Sequence, residues 1–103
     1  MFNPTDWLAL DTIVRDMALV IQLGGGVKFV TGTIASIVYV SSGGSVDYAY
    51  DSGVKCSFAA ELRDKGTYGF LLPKNQIRPV AEEMFGAWTV LANNVINNSC
   101  PRR

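Results

Sequence analysis

The chain has 103 residues, of which 49% are hydrophobic and 17% charged, and its nine basic residues balance nine acidic ones. This length allows one domain with a single modest core, and zero net charge excludes the overall electrostatic footprint of a nucleic-acid binder. The chain contains no histidine, which removes the commonest general base and the commonest zinc ligand. With no catalytic constellation in the sequence, we predict a non-catalytic binding protein without a metal or cofactor.

The first predicted element is a helix over residues 4–22, capped by Asn3 or Thr5. Apolar side chains recur there every three or four residues, which is typical of one buried helix face. They are Trp7, Leu10, Val14, Met17 and Ile21. Residues 18–23 are apolar enough to form a strand instead, and the pattern leaves both readings open. Three glycines at 24–26 end the element in either case.

Residues 27–80 show short runs of β-branched and aromatic residues separated by glycine-rich breaks. Such runs are typical of a small antiparallel barrel. Alternation along residues 46–50 predicts that Val46, Tyr48 and Tyr50 point inward. With Ile37 and Ile77 they would fill the barrel core. A second helix is predicted over residues 80–97, where Val80, Met84, Ala87, Leu91 and Val95 form an apolar stripe.

The barrel segment resembles an SH3-like or Tudor-like small β-barrel. The resemblance is carried by Val27-Lys28-Phe29-Val30, Gly32-Thr33-Ile34, Val46-Asp47-Tyr48, Leu71-Leu72-Pro73 and Gln76-Ile77-Arg78-Pro79-Val80. It implies an α+β fold with one barrel between two terminal helices, and binding along a groove between the barrel loops. Because a fold does not determine function, the resemblance identifies a place to look and no ligand.

Candidate ligand-binding residues are aromatic side chains of the barrel beside cations, which suit stacking on a nucleotide or single strand. They are Tyr39, Tyr68, Lys74 and Arg78. Residues 54–78 hold five basic and two acidic side chains, so a nucleic-acid or nucleotide-binding barrel is one alternative function. The competing interpretation is that the aromatic residues only fill the core.

The terminal helices carry more apolar area than one small barrel can cover, which predicts a homodimer or a higher homo-oligomer. The predicted interface comprises Trp7, Leu10, Val14, Met84, Trp88, Leu91 and Val95. A further protein partner is compatible with this surface. A pore-type oligomeric enzyme that works without a general base is the second alternative function.

Cys56 and Cys100 lack the spacing of a metal-binding pair, and no basic leader or membrane-length apolar stretch is apparent. These features predict free thiols, no membrane association and a cytoplasmic location. Small size and low charge also suit an accessory protein of a mobile element or phage.

Overall fold

A computed structural model describes residues 4–25, 28–33, 44–63, 67 and 71–101. Two 20-residue helices frame the molecule: α1 spans Pro4–Leu23 and α3 spans Ile77–Ile96. Between them lie a short helix, α2, at Ser45–Asp51, and a 3-10 turn at Lys74–Gln76 that runs directly into α3. Neither long helix combines the length and apolar character needed to cross a bilayer.

The core lies between α1 and α3, which pack against each other. From α1 it receives Ile13, Met17 and Ile21, and from α3 it receives Val80, Met84 and Ala87. Each set recurs at three or four residues, so each helix turns one apolar face inward. Phe29, Phe58 and Leu72 from the connecting segments pack against the same cluster.

A glycine of α3 lies directly against α1. A Cβ atom on Gly86 would lie 2.7 Å from Cγ1 of Val20 on α1. Next to it, Ala87 is completely buried. Small residues at these two adjacent positions therefore let the backbones come together, as they do wherever side-chain volume limits helix packing.

We expect Gly86→Ala to destabilise the chain by about 1 kcal/mol. Alanine gains about 1 kcal/mol of helix propensity, but overpacking against the stiff valine costs about 1–3 kcal/mol. Urea unfolding should be compared in the native and Val20→Ala backgrounds, because the clash is absent from the second. Equal effects in both backgrounds would show that Val20 does not limit the helix approach.

The predicted barrel over residues 27–80 is wrong: within the described ranges there is no strand, and residues 45–51 are helical. Helix α2 accounts for the misread alternation, because Val46 and Tyr50 are four residues apart and share a helix face. Tyr50 is 3% exposed, whereas Tyr48 is 76% exposed and points away from the core. Ile77, also predicted inside, is 68% exposed, and Ile37 lies outside the described residues.

Candidate functional site

Residues 54–63 connect α2 to the second half of the chain, and we call them the clamped segment because side chains fix them at both ends. At the first end, Lys55 Nζ lies 3.8 Å from the centre of the Tyr50 ring, a cation–π contact. The Tyr50 hydroxyl in turn donates a hydrogen bond to the carboxylate of Asp6 on α1. The segment thus begins on a tyrosine that joins α2 to α1.

A disulfide fixes the same end of the clamped segment. Cys56 is bonded to Cys100, with 5.6 Å between the two Cα atoms, a normal separation for a disulfide. The predicted free thiols are therefore wrong. Two cysteines 44 residues apart carry no local signal of pairing, since only the fold brings them together.

At the other end, Arg63 is held by three hydrogen bonds. Its Nε and Nη2 donate to the two carboxylate oxygens of Glu83 on α3, at 2.9 and 2.8 Å. Its Nη1 donates to Oε1 of Gln76 at 3.0 Å. This forked pairing is the strong geometry for an arginine and a carboxylate, and the Glu83 side chain is only 5% exposed.

The ion pair also changes the protonation equilibrium of the arginine. The pKa of Arg63 is raised above its ordinary value, mainly because the guanidinium donates side-chain hydrogen bonds to Glu83. Coulombic attraction to Glu83 acts in the same direction, and desolvation opposes it. Arg63 therefore stays charged at physiological pH and keeps the end of the segment attached to α3.

An exposed carboxylate stands between the two anchors. Glu61 has neither a hydrogen bond nor an ion pair with any residue in the described ranges, and its side chain is exposed. Two other exposed carboxylates, Asp16 and Asp47, likewise have no hydrogen bond or ion pair within the described ranges, and both lie on helices. Glu61 therefore offers an acceptor on a segment whose two ends are fixed. Sequence reasoning treated it only as one charge among several.

Of the four predicted ligand-binding residues only Lys74 and Arg78 lie within the described ranges, so the predicted site stays a prediction. Tyr39 and Tyr68 lie outside the described residues. Lys74 is exposed on the 3-10 turn, and Arg78 donates to Glu82 at 2.9 Å on the surface of α3. Arg63 and Arg78, two of the five basic residues of 54–78, are therefore paired with glutamates of α3.

The predicted interface residues divide into three groups by exposure. Leu10 and Met84 are 6% and 4% exposed and belong to the chain's own core. Three others remain on the surface: Trp7, Trp88 and Val95 are 39%, 48% and 55% exposed. Val14 and Leu91 are partly buried. Self-association through the exposed group stays a prediction.

The residues described here do not assemble a metal site. They contain no group of three or more histidine, cysteine or acidic side chains that could hold an ion. Catalytic zinc sites use three protein ligands, most often with histidine among them, and the whole chain has no histidine. Both cysteines are engaged in the disulfide.

Comparison with known proteins reveals a relationship across most of the chain. The family model for zinc carboxypeptidases matches residues 3–87. Carboxypeptidase A2 of Mus musculus is 50% identical over 81 residues, which are 79% of this chain and 19% of that protein. Carboxypeptidase A1 of Sus scrofa is 40% identical over 95 residues, 92% of this chain and 23% of that protein.

Carboxypeptidase B of the crayfish Astacus astacus is 42% identical over 93 residues, covering 89% of this chain and 31% of the relative. A solved structure, bovine thrombin-activatable fibrinolysis inhibitor in complex with tick carboxypeptidase inhibitor, matches with a TM-score of 0.86 and 36% identity. It covers 94% of this chain and 33% of the solved chain. The chain thus spans about a fifth to a third of the length of these proteins.

These matches overturn the predicted identity and function. There is no support for an SH3-like or Tudor-like barrel, a non-catalytic barrel module, a nucleic-acid-binding barrel, a pore-type enzyme or an origin in a mobile element or phage. The prediction that the protein is not an enzyme is wrong for the same reason, because the relatives are peptidases by name. The chain belongs to the zinc carboxypeptidase family.

Proposed function

We propose that this chain works as part of a zinc carboxypeptidase, a peptidase that removes residues from the carboxyl end of a peptide. The observation that carries the proposal is the family match over residues 3–87. The agreement in fold at a TM-score of 0.86 and 36% identity supports it. The relatives include both A-type and B-type carboxypeptidases.

In this proposal the zinc ion is held by residues that do not belong to this chain. The described residues fail the requirements of a zinc site, and a chain without histidine cannot supply the imidazole ligands that such sites favour. What the chain offers is a packed helix pair and the clamped segment. No step of the reaction is assigned to a metal on these residues.

We assign Glu61 the role of proton acceptor in the hydrolysis. Attack of water on a peptide carbonyl requires a group that takes a proton from the water, and a positioned carboxylate can do so. Glu61 is exposed, and anchors on both sides fix its segment at Cys56 and Arg63. The other exposed carboxylates without a partner differ in setting, since Asp16 lies in the middle of α1 and Asp47 in the first turn of α2.

The disulfide also bears on where the protein works. Disulfides persist in oxidising compartments and are rare in the cytosol. Cys56–Cys100 therefore favours an oxidising compartment over the predicted cytoplasmic location.

A chimera tests the proposed function. The 103 residues should replace the matching stretch of crayfish carboxypeptidase B, with which this chain aligns over 93 residues. We expect the chimera to contain as much zinc as the parent and to release the terminal residue of a peptide. We expect the 103-residue chain alone to bind no zinc and to show no hydrolysis.

The control is removal of zinc by a chelator, which should abolish hydrolysis until zinc is returned. A chimera that folds and holds the parent's zinc but hydrolyses no peptide would contradict the proposed function. Stoichiometric zinc binding by the isolated chain would instead contradict the placement of the metal.

A further inference from the structure

The chain reverses direction after α3, and this reversal delivers Cys100. Backbone N–H groups of Asn97, Asn98 and Ser99 donate to carbonyls in the last turns of the helix, at 2.9, 3.2 and 2.9 Å. Asn98 has a φ of +56°, in the left-handed region that asparagine tolerates better than most residues. Two residues later Cys100 meets Cys56 of the clamped segment.

This disulfide joins a cysteine inside the stretch that the family model matches, Cys56, to one outside it. The match ends at residue 87, so Cys100 lies beyond it. Both cysteines are partly exposed and pack against the edge of the core cluster. The bond is therefore within reach of a small reductant while it holds the clamped segment to the end of α3.

The two anchors of the clamped segment differ in chemistry. Arg63 is held by charged hydrogen bonds to Glu83, which do not depend on the redox state. Cys56 is held by a covalent bond that a thiol can break. Once that bond is cut, the contacts left near Cys56 are all non-covalent: the stacking of Lys55 on Tyr50, the hydrogen bond from Val54 N–H to the Ala49 carbonyl and the packing of Phe58 against the core.

We propose that the Cys56–Cys100 disulfide is a redox-sensitive tether, whose reduction releases residues 54–62 from the helix pair while Arg63 keeps the far end attached. The reductant is a dithiol. One of its thiolates attacks a sulfur of the protein disulfide, the Sγ–Sγ bond breaks, and a mixed disulfide forms. The second thiol displaces the protein sulfur, which leaves two protein thiols and an oxidised dithiol.

The tether rests on the position of the Cys56–Cys100 bond and on the contacts around the clamped segment, and only its effect on activity rests on the proposed function. If Glu61 accepts the proton, release of the segment loosens the group that must be positioned. Reduction then lowers hydrolysis by the chimera without removing its zinc.

Limited trypsin digestion of the 103-residue chain, with fragments followed by mass spectrometry, tests the tether without any activity assay. We expect dithiothreitol to speed cleavage after Lys55 about tenfold, because proteolysis follows the population of the opened segment. Cleavage after Arg15, in the middle of α1, reports global unfolding and should change little. The double variant Cys56→Ser with Cys100→Ser should behave as the reduced chain does and ignore dithiothreitol.

Two results would overturn the proposal. Equal cleavage after Lys55 in the oxidised and reduced chains would show that the disulfide does not hold the segment. Equal acceleration after Lys55 and Arg15 would show that it stabilises the whole fold and is no local tether. Either outcome leaves the proposed peptidase function intact, because the chimera assay is run on the oxidised protein.

Discussion

Replacing Glu61 by glutamine in the carboxypeptidase chimera should lower kcat by about 10²–10⁴-fold, the range that a positioned general base contributes. The amide of glutamine nearly matches the carboxylate in shape but cannot accept the proton of an attacking water. Glu61 has no hydrogen bond or ion pair with the described residues that the substitution would break. We therefore expect the fold and the zinc content to be unchanged, and KM to change little in comparison with kcat.

The matched control is Glu82→Gln. Glu82 is also an exposed glutamate, but it is paired with Arg78 on the surface of α3, and surface pairs contribute little. Hydrolysis of a peptide substrate should be measured for both variants across pH, with zinc determined for each. Similar rates for Glu61→Gln and the parent chimera would remove the assigned role of Glu61 and leave the family membership untouched.

The two long helices could be anticipated because their signal is local. Apolar residues recur every three or four positions in both, and Leu10, Met17 and Ile21 of the first stripe are indeed buried. The predicted helices cover residues 4–22 and 80–97. They overlap the helices in the structure, which span Pro4–Leu23 and Ile77–Ile96. Periodicity identifies the apolar face of a helix, and it does so without information about the element that packs against that face.

The prediction for the middle of the chain was wrong because a run of five residues does not distinguish the strand period of two from the helix period of 3.6. Over residues 46–50, alternation predicts that Val46, Tyr48 and Tyr50 share a face, whereas a helix groups only Val46 with Tyr50. The contact that distinguishes them is the hydrogen bond from Tyr50 to Asp6, 44 residues away. Local propensity could not include it, and tertiary contacts override propensity in such segments.

The candidate site could not be predicted from the sequence for a similar reason. Its geometry depends on pairs that are distant along the chain: Cys56 with Cys100, and Arg63 with Glu83 twenty residues later. Each of these residues has an ordinary solitary interpretation as an inert thiol or a solvated charge. Only the packing of α3 against the connecting segment turns them into anchors around Glu61, and the recurrence of apolar residues says nothing about that.

The packing of α3 makes a second strong prediction, at a position that the sequence assigned to an interface. Met84→Ala in the 103-residue chain should lower the free energy of unfolding by about 2–5 kcal/mol, since truncating a buried methionine loses apolar contacts and leaves a cavity. Met84 is 4% exposed and packs among Ile13, Met17 and Ile21 of α1 within the core cluster. Urea unfolding followed by circular dichroism gives the measurement.

The neighbouring residue supplies the control. Phe85 is larger than Met84 but 73% exposed, and one step along a helix turns a side chain by about 100°. Phe85→Ala should therefore change the free energy of unfolding by less than about 0.5 kcal/mol, as surface substitutions usually do. If the larger loss occurred at Phe85, α3 would have to turn its other face to α1. The face carrying Phe85, Trp88 and Val95 would then be the one that packs within the chain.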